Sequence, residues 1–216
     1  MKTLVIGAHG LTGKRLVDAL ATTGHTPVAM IRETRQRAHF DSVGVATVLA
    51  DLEYPIDHAV RGCEAVIFAA GSGSGTGVDK TVLVDQLGAI RSMVSAQVNG
   101  ATRYIMLSTV NADVNSNSKI SHYHRAKAHA DNHLMDTDLD WTVVCPGRLT
   151  EEPGTALVSV RNESFVSGVT SRESLALVLA QCLGRPNSIR ARFSVLDGEL
   201  SIDEALAGVR ASPRSG

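Results

Sequence analysis

Residues 2–13 read KTLVIGAHGLTG and are the strongest indication of the fold. A short apolar run leads directly into a glycine-rich turn, and a segment with apolar residues at helical spacing follows it. In a dinucleotide-binding unit, the first glycine permits the turn, the second admits a pyrophosphate and the third lets the helix pack against the strand. An ordinary glycine-rich turn is the alternative. The predicted phosphate loop contains Gly7, His9, Gly10, Leu11, Thr12 and Gly13.

Outward from this unit, short β-branched apolar runs alternate with longer segments of helical periodicity. The runs predict strands over residues 3–6, 27–31, 46–49, 65–69, 104–107 and 141–145. The periodic segments predict helices over residues 12–23, 54–60, 79–99, 123–136 and 171–183. Strands that alternate with helices indicate right-handed crossovers. The fold class is therefore α/β, a Rossmann-like doubly wound parallel sheet with helices on both faces.

The length of 216 residues indicates one domain, which we place at residues 1–209. Its cofactor-binding half is predicted over residues 1–150. After Cys145 the pattern weakens, and about residues 146–209 are predicted to form a small C-terminal cap on the substrate side, with a strand at 193–196 and a helix at 202–209. Residues 210–216 read as a tail.

Composition excludes several classes of function. The net charge of −1, without a block of like charges, does not suit a nucleic-acid or membrane-surface binder. The three cysteines are too widely spaced for a disulfide framework or a zinc cluster. No signal-peptide pattern precedes the first strand, and no apolar run reaches the ~18 residues of a membrane helix. We expect a cytoplasmic protein with a small-molecule substrate, and no nucleic-acid or membrane partner.

The predicted strand ends carry candidate cofactor contacts, because open α/β sheets bind ligands at the carboxyl ends of their strands. Arg32 ends the second strand, with Arg35 and Arg37 close behind, and guanidinium groups suit the 2′-phosphate of NADP. Glu33 keeps a ribose contact open, as in an NAD enzyme. The prediction is NADP preferred, NAD possible. Further candidates end the third and fourth strands: Asp51, Leu52, Ala69, Ala70 and Gly71.

Three later residues are candidates for chemistry. Ser108 follows the fifth strand, and Tyr123 and Lys127 lie four apart on one face of a predicted helix. A lysine ammonium stabilises a phenolate and brings proton transfer by a tyrosine closer to neutral pH. A serine hydroxyl beside them could hold a carbonyl oxygen. A surface Tyr–Lys pair is the alternative.

The chain resembles the short-chain dehydrogenase/reductase superfamily, specifically its small atypical NAD(P)H-binding members. That group contains the biliverdin reductase B-like flavin reductases and the NmrA-like proteins. The similar stretches are GAHGLTGKRLVDAL, VAMIRETRQ, ADL, VIFAAGSG, DKTVLVDQLGAIRSMVSA, YIMLSTV, YHRAKAHADNHL and LDWTVVCPGRLT. Together they cover most of residues 2–150.

The resemblance implies roles for individual residues. It implies a phosphate loop at Gly7, Gly10, Thr12 and Gly13, a cofactor-selecting base at Arg32, an adenine contact at Asp51 and Leu52, and a fourth-strand floor at Ala70 and Gly71. It implies a catalytic trio of Ser108, Tyr123 and Lys127, with Lys127 also on the nicotinamide ribose. It implies a nicotinamide loop at Pro146, Gly147, Arg148 and Leu149.

Two positions depart from the family pattern. His9 stands where relatives carry a small residue, and Cys145 stands where many carry arginine. Four histidines lie close together in the sequence, His122, His124, His129 and His133, but they lack the glutamate of a zinc-protease motif. We predict no metal site and interpret these histidines as a solvated helix face.

The first hypothesis is an NADP-dependent oxidoreductase that moves hydride between nicotinamide and a small carbonyl, quinone or flavin-like acceptor. Tyr123 would donate the proton, Ser108 would hold the carbonyl oxygen, and Lys127 would tune the phenol and anchor the ribose. One alternative is an NmrA-like redox sensor without catalysis, which has no need of Tyr123 and Lys127. Another is an NAD-dependent epimerase or dehydratase. The chain could be a monomer or a homodimer.

Overall fold

The computed structural model describes residues 1–73, 75–165 and 167–213, and in them eleven strands. The first six are β1 (Lys2–Ile6), β2 (Thr26–Ile31), β3 (Ala46–Leu49), β4 (Ala65–Phe68), β5 (Arg103–Leu107) and β6 (Asp140–Pro146). The remaining five are β7 (Arg148–Thr150), β8 (Leu157–Arg161), β9 (Val169–Ser171), β10 (Ala191–Asp197) and β11 (Leu200–Ser201). Residues 214–216 of the predicted tail lie outside the described residues.

Nine strands form one sheet in the order β11-β8-β10-β6-β5-β4-β1-β2-β3. From β3 to β10 neighbouring strands are parallel. β8 runs antiparallel to both of its neighbours, β10 and β11. β1 pairs with β2 on one side and β4 on the other, which places the turn after β1 where the strand order reverses. The predicted doubly wound α/β fold is confirmed. A ligand site is expected at such a switch point.

The helices lie on both faces of the sheet. They are α1 (Leu11–Thr22), α2 (Arg37–Asp41), α3 (Asp57–Val60), α4 (Val78–Thr81), α5 (Ala89–Val98), α6 (Ser121–Met135), α7 (Arg172–Cys182) and α8 (Ile202–Ala207). Alternate residues of each strand enter opposite cores. Val5 packs in a cluster with residues of α1, α7 and α8, whereas Leu4 and Ile6 pack in a second cluster with residues of α3, α5 and α6.

Two predicted helices differ from the observed elements by more than a shift of one or two residues at an end. The helix predicted over residues 54–60 forms only at Asp57–Val60; Pro55 disfavours helical backbone at Tyr54, the residue before it. The helix predicted over 79–99 extends from Val78 to Val98 but contains a π-helical segment at Val82–Gly88. π-Helical segments occur frequently at functional sites, and this one carries the buried Asp85.

The C-terminal region extends the main sheet. β10 pairs in parallel with β6, and β8 pairs antiparallel with β10. The short strands β7 and β9 form a separate two-stranded sheet. α7 packs against α1 and therefore brings residues near 172 to the predicted phosphate loop.

Candidate active site

The turn between β1 and α1 is closed around two glycines. Gly7 has φ +83°, and a Cβ there would lie 2.6 Å from the backbone nitrogen of Ala70. A Cβ on Gly13 would lie 2.1 Å from the carbonyl oxygen of Gly7. Both approaches are too short for a side chain. Gly7 thus brings the turn close to the end of β4, and Gly13 brings α1 close to the turn, in the roles that the sequence predicts for them.

The first turn of α1 is open to a ligand. Its N-cap, Gly10, supplies no side-chain hydrogen bond, so the leading backbone N–H groups of this 12-residue helix have no side-chain cap. Gly10, Leu11 and Thr12 line a cavity at this end. A Cβ on Gly10 would lie 3.2 Å from the Gly7 carbonyl oxygen, which the protein itself could accommodate. Free N–H groups and the positive end of the helix fit a pyrophosphate here.

Two cavities meet at this turn. The first, about 310 Å³, is lined by Ile6, Gly7, His9, Gly10, Met30, Arg32, Gln36, Ala50, Asp51, Leu52, Ala69, Ala70, Gly71, Ser72 and Val84. The second, about 590 Å³, is lined by Gly10, Leu11, Thr12, Ala69, Ala70, Gly71, Ser72, Gly73, Thr76, Thr81, Asp85, Leu107, Ser108, Ile120, His122, Tyr123, Lys127, Leu149 and Arg172. They share five residues at the end of β4 and the phosphate turn, so an extended ligand can lie across both.

The first cavity collects the predicted adenosine contacts. Arg32, Asp51 and Leu52 all line it. Arg35 and Arg37 are exposed and lie outside its lining. Arg35 instead pairs with Glu33, whose carboxylate also lies 3.7 Å from an Arg32 nitrogen. Of the three arginines predicted near the 2′-phosphate, the structure therefore brings only Arg32 to the cavity.

The four residues of the predicted nicotinamide loop do not all reach the cavities. Leu149 lines the second cavity, whereas Pro146, Gly147 and Arg148, all described residues, lie outside both linings. The Gly147 nitrogen donates to Thr170 Oγ1 at 3.0 Å, and the Arg148 nitrogen donates to the Gly168 carbonyl at 2.9 Å. These bonds join β7 to the β9 region. Through these bonds the loop connects β7, the strand that contains Leu149, to the neighbouring β9.

Ser108, Tyr123 and Lys127 all line the second cavity. Lys127 is 2% exposed; its Nζ lies 3.9 Å from Met106 Sδ and 5.4 Å from the centre of the Phe68 ring. Thioether sulfur is a weak acceptor, so the ammonium retains donors for a ligand. The ammonium thus lies against Met106 of β5 and Phe68 of β4.

The predicted lowering of the Tyr123 pKa by Lys127 is wrong. Burial raises the pKa of the Tyr123 phenol above its ordinary value, and the carboxylates of Asp85 and Asp131 raise it further. Both carboxylates oppose a negative charge on the phenol, while Lys127 is turned toward Met106. Tyr123 is consequently a proton-bearing hydroxyl at neutral pH.

Sequence reasoning missed two buried carboxylates beside this cavity. Asp85 is 1% exposed; its Oδ2 accepts from the Ser72 nitrogen at 2.9 Å, and its Oδ1 has no hydrogen-bond partner among the described residues. Asp131 is 2% exposed and accepts a short hydrogen bond from Ser108 Oγ. Asp131 follows Lys127 by four residues on α6, a helical spacing that could have indicated it.

Arg172 was also missed. It lines the second cavity, and its Nη1 donates to Thr12 Oγ1 at 3.0 Å. Its Nε pairs with Glu151, which also accepts from Arg15 Nη2 at 3.1 Å. The two bonded residues, 12 and 172, are far apart in the sequence, and no local pattern indicates their contact.

The prediction of a solvated helix face is wrong for His124, which is buried at 7% exposure and has its Nδ1 2.9 Å from Ser118 Oγ. His122 lines the second cavity. His129 is exposed. Across the described residues, no three His, Cys, Asp or Glu side chains are arranged to hold a metal ion. Within the same residues no helix is long and apolar enough to cross a membrane.

Comparison with known proteins agrees with this geometry. The sequence profile of an NAD(P)H-binding family matches residues 7–186, which include the phosphate loop, the trio and Arg172. The chain belongs to this NAD(P)H-binding family. The match confirms the resemblance to atypical short-chain dehydrogenases/reductases and supports a nicotinamide cofactor.

Three proteins of known sequence or structure resemble the chain over nearly its whole length. The uncharacterized sugar epimerase YhfK of Bacillus subtilis is 38% identical over 212 residues, 95% of this chain and 99% of that protein. A Bacillus halodurans structure, named for the NAD-dependent epimerases/dehydratases, has a TM-score of 0.92 at 37% identity and covers 96% of this chain and 99% of its own. The oxidoreductase ylbE of Lactococcus lactis has a TM-score of 0.84 at 29% identity, with 96% and 95% covered.

Proposed function

We propose that the protein is an NADP-dependent oxidoreductase that transfers hydride between the nicotinamide and a small carbonyl, quinone or flavin-like acceptor. One observation carries this proposal: Ser108, Tyr123 and Lys127 converge on a cavity that continues into the predicted adenosine cavity. A sensor that only binds dinucleotide would not need these three side chains on the wall beside the reacting ring.

The chain's own groups would hold the cofactor at both ends. The open N–H groups of α1 would bind the pyrophosphate, and Arg32 would bind the 2′-phosphate of NADP. The buried Lys127 ammonium, which lies 3.9 Å from the thioether sulfur of Met106, would donate to the nicotinamide ribose hydroxyls. When bound, the nicotinamide gives or takes a hydride.

The remaining wall of the second cavity would orient the acceptor. Tyr123 carries a proton at neutral pH because burial and two nearby carboxylates raise its pKa, so its hydroxyl can donate to a substrate oxygen. Ser72, Thr76 and Thr81 line the same cavity and add hydroxyl groups.

A second candidate is a sugar epimerase. The names of YhfK and of the Bacillus halodurans protein favour it, together with the hydroxyl-rich wall. An epimerase returns the hydride to its substrate and shows no net consumption of cofactor. Product analysis with catalytic amounts of dinucleotide therefore separates it from a reductase.

The test begins with titration of NADPH and NADH onto the purified protein, followed by a cofactor-oxidation screen over carbonyls, quinones and flavins. Tyr123→Phe should lower kcat about 10²–10⁴-fold with little change in NADPH affinity. Lys127→Met should lower both kcat and the affinity for NADPH. Tyr54→Phe is the matched control, because Tyr54 is exposed and lies outside both cavities.

Three outcomes would change the conclusion. Rate loss in Tyr123→Phe with carbonyls but not with flavins would favour a flavin-reductase-like role, because a flavin ring accepts hydride with little help from a protein acid. Tight NADPH binding without turnover of any acceptor would favour the sensor. Absence of dinucleotide binding would overturn the proposal.

A further inference from the structure

The hydroxyl of Ser108 donates its hydrogen bond to a buried carboxylate. Its Oγ donates a short hydrogen bond to Asp131 Oδ2, and both residues are nearly inaccessible, at 3% and 2% exposure. The backbone nitrogen of Ser108 donates to the Val144 carbonyl at 2.8 Å, which fixes the residue at the end of β5. A serine has one hydroxyl proton. While this proton is donated to the ionised Asp131, Ser108 Oγ can only accept a hydrogen bond from a ligand in the cavity.

This arrangement limits what Ser108 can bind. A substrate carbonyl needs a donor, and Ser108 has none to give while Asp131 is ionised. An alcohol hydroxyl, in contrast, can donate to Ser108 Oγ. If Asp131 takes up a proton, it can donate to Ser108, and the serine proton becomes free to face a carbonyl. The protonation of Asp131 therefore decides which form of the substrate Ser108 can receive.

The residues around Asp131 affect how readily its carboxyl takes up a proton. Burial raises the pKa of its carboxyl to about 6, while the charge of Lys127, the Ser108 hydrogen bond and the charge of Arg192 act in the opposite direction. Lys127 lies on the same helix and Arg192 on β10. Cys145 on β6 and Tyr123 also interact with the carboxylate. Asp131 Oδ1 has no hydrogen-bond partner among the described residues.

A third cavity lies on the other side of Asp131. It measures about 230 Å³ and is lined in part by Asp113, Asn132 and Arg192 together with Asp131 itself. Ser108 lines the second cavity and Asp131 the third. The hydrogen-bonded pair thus connects the candidate active site with a separate opening.

We propose that Asp131 acts through Ser108 to take the proton from a substrate alcohol and to return it to a substrate carbonyl, with exchange to solvent through the third cavity. The proposal rests on the proposed oxidoreductase function. Tyr123 remains a hydrogen-bond donor to the same substrate oxygen. Because its pKa is raised, Tyr123 already carries its proton at neutral pH and cannot take up the alcohol proton, which leaves Asp131 to accept it.

The proton balance is simple. In alcohol oxidation the C–H bond breaks with its electron pair, which leaves as hydride to the nicotinamide. The O–H bond of the alcohol breaks as its proton passes to Ser108 Oγ, while the original Ser108 proton passes to Asp131. The products are a carbonyl, reduced cofactor and neutral Asp131. Carbonyl reduction runs the same transfers in reverse.

Asp131→Asn tests the proposal, since an amide keeps the size and hydrogen bonds of the side chain but cannot carry the proton. Ser108→Ala is the second variant, and Asp138→Asn is the matched control, because Asp138 is an exposed aspartate just beyond α6. The measurements are dinucleotide affinity, the pH profiles of kcat in both directions, and carboxyl titration of the ligand-free proteins by ¹³C NMR.

In wild type, carbonyl reduction should fall and alcohol oxidation should rise as pH increases through the Asp131 titration. Asp131→Asn should lower kcat at least ~10²-fold in both directions, abolish that pH dependence and leave dinucleotide affinity unchanged. Ser108→Ala should do the same, and the double variant should add little, because the two act as a unit. One carboxyl resonance with a raised midpoint should disappear only in variants of Asp131.

Dinucleotide binding together with an unchanged pH profile in Asp131→Asn would overturn the relay and leave the proposed function intact. Asp131 titrating at an ordinary aspartate pKa would also overturn it. Failure of the wild-type protein to bind any dinucleotide would instead overturn the proposed function, and the relay with it.

Discussion

Arg172 donates from Nη1 to Thr12 Oγ1 across 3.0 Å, and so connects the start of α7 with the first turn of α1. Its Nε is held by Glu151. The guanidinium therefore lies beside the open N–H groups that fit a pyrophosphate, and it lines the same cavity. A positive charge at this place would stabilise the anion that the helix end attracts.

Replacing Arg172 should weaken dinucleotide binding. A charge-assisted hydrogen bond contributes ~1.5–3 kcal/mol, so Arg172→Gln should raise the Kd for NADPH about 10–100-fold. Arg15→Gln is the control, because Arg15 pairs with the same Glu151 but lies outside both cavities. Fluorescence titration measures both. Equal losses in the two variants would show that the effect comes from Glu151 and not from a phosphate contact.

Cofactor preference should depend on the balance between Arg32 and Glu33. We expect NADPH to bind more tightly than NADH, and Arg32→Ala to remove about one to two decades of that difference. Glu33→Gln should raise NADPH affinity, because its carboxylate lies 3.7 Å from Arg32 and competes with the 2′-phosphate. Arg37 is an exposed arginine outside the cavity, so Arg37→Ala should change neither the NADPH affinity nor the preference for NADPH over NADH. Equal wild-type Kd values would contradict this prediction.

Two glycines of the phosphate turn should respond differently to alanine. In Gly13→Ala the new Cβ would meet backbone 2.1 Å away, so stability should fall by about 1–3 kcal/mol and dinucleotide binding should be lost. In Gly10→Ala the contact would be 3.2 Å, so the fold should tolerate it while binding weakens. Urea denaturation and calorimetry measure the two effects. Unchanged affinity in both folded variants would contradict the phosphate-loop assignment.

The buried Asp131 should make the protein less stable as pH rises. Its pKa is raised from 3.8 to about 6, so the folded state holds the proton more tightly than the unfolded state. Stability from this group is present below the unfolded pKa and is lost as pH increases toward and through 6. With about 1.4 kcal/mol for each pKa unit, the loss approaches ~3 kcal/mol.

Asp131→Asn, which stays neutral, should therefore gain stability over wild type between pH 4 and 7, when both are unfolded in urea across that range. Asp138→Asn should run parallel to wild type, because Asp138 is exposed. A constant difference between Asp131→Asn and wild type across the range would show that the aspartate titrates normally.

The fold was largely predictable because its signals are local. Strands of a parallel sheet are buried on both faces and appear as short apolar runs, so β1 to β6 were found within a few residues. The helix containing Asp85 was also found, but its π-helical segment was not, since no spacing in residues 79–99 indicates a local change of helical pitch.

Sequence alone predicted the glycine-rich turn, because the positive φ of Gly7 and the approach of Gly13 to the Gly7 carbonyl are local, whereas the approach of Gly7 to Ala70 depends on the tertiary structure. It also placed Ser108, Tyr123 and Lys127, since each follows a recognisable strand or lies at helical spacing. Only the tertiary structure decided what these side chains face. Arg172 meets Thr12 across 160 residues of sequence, and Asp131 meets Ser108 through the packing of α6 on the end of β5. The direction of Lys127 and the raised pKa of Tyr123 likewise depend on burial and on charges from several elements, which no local pattern encodes.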